Sequence, residues 1–298
     1  MPAKRKIQKE KAAAAAGRDR AKALSATLDA TNNGDHAASA AEKLRHLYAS
    51  LLRCRMIQEQ LRTLRGGNDG SNKYDLAIGR EAVTVGATAD LGAGDTVAAS
   101  PRNAAALVAR EMPFTALLSG SPEGTTCCHA RAVPDDPFHA GVGIALAHKL
   151  EQKHNVAVAF CAEQQPRLER WHDALKFAAG HKLPIVFVIE NGISGERADA
   201  PAPHLEPVSF MTRDYGFPGI LVDGCDVVAV WRVTQEAIHR ARIGSGATLI
   251  DCRTDPARDP LAHMEHYLRQ REAWDDGWRS RVEAEIRSAI DSAFQRTG

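Results

Sequence analysis

Residues 155–195 read NVAVAFCAEQQPRLERWHDALKFAAGHKLPIVFVIENGISG, and this stretch decides the fold. Asn155–Phe160 and Pro184–Ile189 are short apolar runs of the length and composition of buried strands. Between them Leu168, Trp171, Leu175, Ala178 and Ala179 recur at helical spacing, which predicts one amphipathic helix. Two buried strands joined by one helix form a parallel pair with a right-handed crossover. Sheets of this kind take ligands outside the carboxyl ends of their strands, so the loops Cys161–Gln165 and Asn191–Gly195 are where function is expected.

The flanking sequence repeats the alternation. Thr96–Ala99 reads as a strand leading to Ser100-Pro101-Arg102-Asn103 and a helix from Asn103 to Arg110, whose N-terminal amides and Arg102 suit an anion. A surface or ion-pair role accounts for Arg102 equally well. Gly219–Gly224 is a third strand ending in a turn, Val227–Ile243 a helix and Thr248–Cys252 another strand. Leu261–Tyr267 and Trp274–Phe294 close the chain as helices, the last carrying Trp278, Val282, Ile286, Ile290 and Phe294 four apart. Such alternation predicts an α/β layered fold, a parallel sheet flanked by helices on both faces.

Upstream, Tyr74–Gly92 reads as a loop and then a helix packed through Ala82, Val83, Val85 and Ala87. Leu44, Leu47, Tyr48, Leu51, Leu52, Ile57, Leu61 and Leu64 mark one face of a long amphipathic helix ended by Gly66-Gly67. Arg45, Arg53, Arg55, Arg62 and Arg65 read as its wet face and receive no binding role. Residues 1–40 are basic and polar and read as a disordered tail, with 41–298 as a single α/β domain ending in helices. Solvation explains such a tail; docking onto a larger complex is the alternative.

With 298 residues, 44% hydrophobic and 25% charged, the chain can bury a full core. A formal charge of +1 is too small to point to nucleic acid or a membrane surface as partner, and no apolar run is long enough to span a bilayer. Six scattered cysteines lack zinc-site or disulfide-scaffold spacing and favour a reducing, cytoplasmic setting. Cys127-Cys128-His129 has the residue types of a soft-metal site but no partners at suitable spacing.

In unbroken order from about Leu44 to the C-terminus, Leu47–Leu64 (LYASLLRCRMIQEQLRTL), Leu76–Gly86 (LAIGREAVTVG), Asn155–Asn191, Pro218–Arg253 and Asp259–Phe294 resemble the alpha subunit of thiamine-diphosphate-dependent 2-oxo acid dehydrogenases. The resemblance implies a thiamine-diphosphate-binding fold and an alpha2-beta2 assembly with a beta-type subunit. It also implies thiamine diphosphate and magnesium at the subunit interface. The implied reaction decarboxylates a 2-oxo acid and hands the acyl group to the lipoyl carrier of an acyltransferase core. Thiamine supplies the electron sink and the protein supplies orientation and charge.

Residue by residue, the family's Gly-Asp-Gly falls on Ala162-Glu163-Gln164 and its Asn-Asn on Asn191-Gly192. The resemblance therefore assigns cofactor contact to Arg102, Glu163, Asn191 and Gly192, and metal ligation to Glu163 and to the backbone carbonyl of Ser194. Magnesium demands near-octahedral geometry at about 2.0–2.1 Å, so the longer Glu163 requires the loop to adjust. Gly192 offers no side-chain oxygen where the family's second asparagine gives one. A solvent-facing carboxylate at a strand end accounts for Glu163 as well as metal binding does.

Further departures accompany these. Asp75 stands where the family has a histidine, and Pro101-Arg102-Asn103-Ala104 replaces its Tyr-Arg-Asp-His run. Thr125–Asp136 is a shortened, glycine-free version of its Gly-rich loop. After Cys252-Arg253 the Gly-His-Ser lid is missing, since Thr254–Pro260 passes straight to the next helix. His263 and His266 read as helix-surface residues, and no residue receives a catalytic role. Three readings remain: an alpha-type subunit with impaired cofactor binding, a non-catalytic scaffold or regulatory homologue that keeps the fold and subunit interface, and a cysteine hydrolase centred on Cys161 and His172. The last leaves the matching blocks without a reason.

Overall fold

The central β-α-β unit folds as its apolar spacing requires. In the computed structural model, which describes residues 40–63, 78–99, 104–109, 126–127, 130–132, 136–162, 168–192 and 208–295, the two strands pair in parallel from Ala157↔Ile185 to Ala162↔Glu190. The chain divides into two units, Met1–Arg45 and His46–Gly298. Of the first, only residues 40–45 are described, and they are helical. Except for Ala40, the tail expected over 1–40 lies outside the described residues.

In the second unit the elements are α1 (46–63), α2 (Glu81–Thr88), β1 (Thr96–Ala99), α3 (Ala104–Ala109), β2 (Thr126–Cys127), β3 (Ala130–Ala132), α4 (Pro137–Leu150), β4 (Ala157–Ala162), α5 (Leu168–Gly180), β5 (Ile185–Gly192), α6 (Val208–Met211), β6 (Gly219–Asp223), α7 (Val227–Arg242), β7 (Thr248–Thr254), α8 (Pro260–Gln270) and α9 (Asp276–Gln295). The described strands form one sheet in the order β2-β3-β1-β4-β5-β7-β6. Every neighbouring pair is parallel except β2 with β3 at one edge. The α/β expectation is met, with one addition: the shortened segment read as a loop, Thr125–Asp136, contributes β2 and β3.

Alternate residues of the strands bury on opposite faces. On one face α4 and α5 cover Ala157, Ala159, Ile185, Phe187, Ile189 and Leu249. Phe138 of α4 fits between Trp171 of α5 and Phe187 of β5, its ring centroid 4.6 and 4.8 Å from theirs. On the other face α7 packs on β5, β6 and β7, and α2 packs on α7 and α3. Both layers need close approach. A Cβ on Gly141 of α4 would lie 2.7 Å from the Ala159 Cβ, and one on Gly86 of α2 would lie 2.8 Å from the Val230 Cβ. Gly141→Ala is therefore expected to lower unfolding free energy by about 1–3 kcal/mol in urea denaturation, because α4 must lift from the sheet.

Helix boundaries follow local chemistry. Asp136, Asp226 and Asp259 accept backbone N–H bonds at the starts of α4, α7 and α8, and prolines occupy the first turns of α4 and α8. Leu47, Tyr48, Leu51, Leu52, Ile57 and Leu61 of α1 are buried as the spacing predicted. The Tyr48 hydroxyl donates to Glu265 at 2.6 Å, and its ring packs against Trp274 and Trp278. Arg55 corrects the wet-face expectation. Its side chain is only 14% exposed, and it donates to both oxygens of Glu81 at 2.5 and 3.1 Å and to Asp259 at 2.8 Å.

Candidate functional site

Strands β1, β4, β5 and β7 end along one edge, with Ala99 beside Phe160, Ala162 beside Glu190 and Gly192 beside Thr254. The chain leaves β1 for α3 on the α2 face and leaves β4 for α5 on the opposite face. Adjacent parallel strands whose connections diverge in this way open a crevice at their carboxyl ends. Arg102 follows β1 and Glu163 follows β4; both residues, and Ser194 after β5, lie outside the described residues. Asn191 and Gly192 are described. They close β5, half-buried, beside Arg253 and Thr254 of β7.

Asn191 is not alone there. Its side-chain Nδ2 donates to Asp251 Oδ1 at 3.4 Å. Asp251 is fully buried, set in β7 between Ile250 and Cys252. Burial pushes its carboxyl above the ordinary carboxylate range, more than Asn191, Arg253 and the backbone amides of Ser209 and Val208 pull it down. The raised value means the folded protein holds this proton more tightly than the unfolded chain does. The ionised carboxylate thus costs stability above its raised pKa, and the cost fades as pH falls toward the ordinary Asp value. Asp251→Asn is expected to raise the melting temperature at neutral pH, with a gain that shrinks in acid; a gain independent of pH would contradict this.

The other face of the same strand ends carries a second buried carboxylate. Glu190 is 1% exposed and accepts a hydrogen bond from the Thr84 hydroxyl of α2 at 3.2 Å. Cys252, its register neighbour, has a thiol held well above the usual range by burial, with Glu190 and Asp251 adding to the shift. Sequence reasoning gave none of Thr84, Glu190 and Asp251 a role. The available signal was a lone carboxylate inside each of two apolar strands, IVFVIEN and TLIDCR, where charge is rarely fully buried.

The connection after β7 is short and pinned. Asp255 exchanges contacts with the Cys225 thiol, its carboxylate accepts from Ala257 N at 2.9 Å, and Arg258 N donates to Asp255 O at 3.0 Å. Arg258 also reaches Asp223 at 2.6 Å, while Asp259 holds Leu261 N and Arg55. The family-type lid has no counterpart in this turn. His263 and His266 lie on α8 as expected, His263 3.7 Å from Asp226 and His266 beside Gln270.

Cys161 is buried at the end of β4. His172 is exposed on α5 and shares a hydrogen bond with the Tyr215 hydroxyl at 2.8 Å. The cysteine-hydrolase reading therefore gains no nucleophile–base pair. Of Cys127-Cys128-His129, the last two residues lie outside the described ones.

The described residues do not fit magnesium through the family's ligand set. Gly192 has no side-chain donor atom, and among the described residues a Cβ there would meet only Thr254 Oγ1, at an ordinary 3.5 Å. Among the described residues no group of three or more His, Cys, Asp or Glu side chains is placed to hold a metal ion. No described helix is long and apolar enough to cross a membrane.

A parallel sheet flanked by helices, with polar residues gathered at its carboxyl edge, defines an α/β layered protein. Known proteins similar to it narrow this further. The model of the dehydrogenase E1 component family matches residues 129–256. The chain is 29% identical over 232 residues to the alpha subunit of acetoin:2,6-dichlorophenolindophenol oxidoreductase of Bacillus subtilis, covering 72% of this chain and 70% of that one. It is 29% identical over 203 residues to the pyruvate dehydrogenase E1 component subunit alpha of Staphylococcus aureus, covering 58% of this chain and 54% of its relative, about half that protein's length. It is also 29% identical over 299 residues to the 3-methyl-2-oxobutanoate dehydrogenase subunit alpha of Mycobacterium tuberculosis, covering 85% and 79%. A solved thiamin diphosphate-dependent enzyme from Mycobacterium smegmatis covers 62% of this chain and 34% of its own at 19% identity, with a TM-score of 0.42 too low to bear on the fold. These matches bear out the resemblance: the chain is similar to the alpha subunits of 2-oxo acid dehydrogenases and of the acetoin oxidoreductase, and residues 129–256 match the dehydrogenase E1 component.

Proposed function

We propose that the chain is a divergent alpha-type subunit that joins a beta-type subunit in an alpha2-beta2 assembly and holds thiamine diphosphate weakly. Arg102, Glu163 and the Asn191–Ser194 loop are its contacts, and Glu163 and the Ser194 carbonyl its remaining metal ligands. The observation that carries this reading is the intact β4–α5–β5 unit, which delivers Asn191 and Gly192 to the carboxyl edge while Gly192 offers no side-chain oxygen. Oxidative decarboxylation of a 2-oxo acid, with acyl transfer to a lipoyl carrier, is the ancestral reaction in this reading and is impaired here. The acetoin oxidoreductase relative adds an acetoin-type substrate to those worth assaying.

Gly192 and the pinned turn after β7 support a second reading, a non-catalytic scaffold that keeps the fold and the subunit interface. Co-expression with the beta-type subunit encoded nearest to it, followed by sedimentation analysis, tests both. Assembly with cofactor uptake that is lost in Glu163→Ala supports the first, and assembly without uptake supports the second. Failure to assemble with any beta-type subunit overturns both.

A further inference from the structure

Two glycines of α4 have different surroundings, and the chain's own packing accounts for only one of them. A Cβ on Gly141 would collide with Ala159, so its absence lets α4 sit on the sheet. Gly143 is exposed, and a Cβ there would meet nothing within 4 Å among the described residues. Glycine inside a helix is destabilising relative to alanine. A helical glycine that relieves no contact within the described chain points to a close approach from outside it.

The side of α4 around Gly143 is also apolar. From Ala140 to Ala147 the helix reads AGVGIALA, eight residues without a polar side chain. Phe138, Gly141, Val142 and Ala145 take the inner side. Gly143, Leu146, Ala147 and Leu150 follow at helical spacing on the outer side; Leu146 is half-buried, the other three are exposed, and Leu150 is 74% exposed. A surface helix ordinarily turns charge outward, and one that is apolar all round is covered on both sides.

The charges at the ends of this face select its cover. Asp136 and His139, 2.7 Å apart, lie at the N-terminal end, while Glu151 and Lys153, 2.8 Å apart, lie just beyond the C-terminal end. All four side chains are 28–56% exposed. Two copies of α4 packed antiparallel about a twofold axis at the level of Ala145 set Gly143 against Ala147 and Ala140 against Leu150. The same register brings His139 against Glu151 and Asp136 against Lys153, and it opposes the two helix dipoles favourably. Such self-complementarity is what an isologous contact between identical chains requires.

We propose that the outer face of α4, Ala140–Leu150, is a self-association surface on which α4 of a second copy of this chain packs antiparallel, with Gly143 against Ala147. The contact joins two copies of this chain and needs neither cofactor nor beta-type subunit.

Sedimentation equilibrium of the full chain alone tests it. The wild type is expected to form a reversible dimer. Gly143→Gln, whose side chain enters open space within one chain, raises the dimer dissociation constant about a hundredfold by overpacking the contact and leaves the circular dichroism spectrum unchanged. Leu150→Glu, at an exposed position, weakens the dimer in the same sense and keeps the test valid if the glutamine variant does not fold. The register is read from an equimolar mixture of Gly143→Cys and Ala147→Cys chains, which oxidised glutathione links into dimers faster than it links either variant alone. A monomeric wild type, two variants that dimerise as strongly as the wild type, or a mixture that links no faster than its components overturns the proposal. Failure to bind a beta-type subunit sinks only the assembly proposed above, since self-association is measured without one.

Discussion

Replacement of Asp95 by alanine is expected to cost ~2–4 kcal/mol of unfolding free energy, chiefly because two backbone amides lose their acceptor. Asp95 precedes β1 and is 2% exposed. Its Oδ1 accepts from Val156 N at 2.8 Å, and its Oδ2 accepts from Gly92 N at 2.7 Å and from Arg242 at 2.5 Å. One carboxylate thus ties the start of β1, the approach to β4 and the last turn of α7. Alanine leaves two amides unsatisfied and the Arg242 guanidinium, 38% exposed, without this partner. Urea denaturation measures the effect. A loss below about 1 kcal/mol would show that solvent replaces these contacts and that this end of the sheet is not held by Asp95.

Gly192→Asn is expected to tighten magnesium thiamine diphosphate binding by about tenfold or more, since a contact to a charged group contributes ~1.5–3 kcal/mol. The backbone at 192 is not in the left-handed region, and among the described residues the added Cβ meets only Thr254 Oγ1 at 3.5 Å. Asparagine would supply the side-chain oxygen at the position where the family has its second asparagine. Gly192→Ala is the control: it adds the same Cβ without a donor, and it should leave affinity unchanged.

Much of the scaffold was legible because burial on both faces leaves a mark in sequence. The β4 and β5 runs and the spacing from Leu168 to Ala179 fixed the central unit, and Thr248–Cys252 and Gly219–Asp223 were found by the same apolar runs. Helix α4 was missed despite Asp136 and Pro137 at its start, because its alanine- and glycine-rich face gives little periodic contrast. Strands β2 and β3 are two and three residues long, too short for any pattern to register. Arg55 was misread because its partners, Glu81 and Asp259, lie 26 and 204 residues away, and such pairings exist only once α1, α2 and α8 have folded.

The candidate site was half legible. Asn191 and Gly192 could be placed by counting along a motif, since a strand end fixes which residues reach the sheet edge. Asp251 and Glu190 could not be assigned partners in the same way. Their hydrogen bonds to Asn191 and Thr84 cross between elements, so their roles depend on strand register and helix packing.

The central claim is that this chain keeps the sheet that presents a diphosphate cofactor while lacking a full set of metal ligands at its carboxyl edge. Isothermal titration of the wild-type chain, assembled with its beta-type subunit, using thiamine diphosphate with and without magnesium tests it most directly. Weak uptake with little dependence on magnesium, strengthened in Gly192→Asn, is the predicted result. Tight, magnesium-dependent uptake by the wild type that Gly192→Asn does not improve would contradict it.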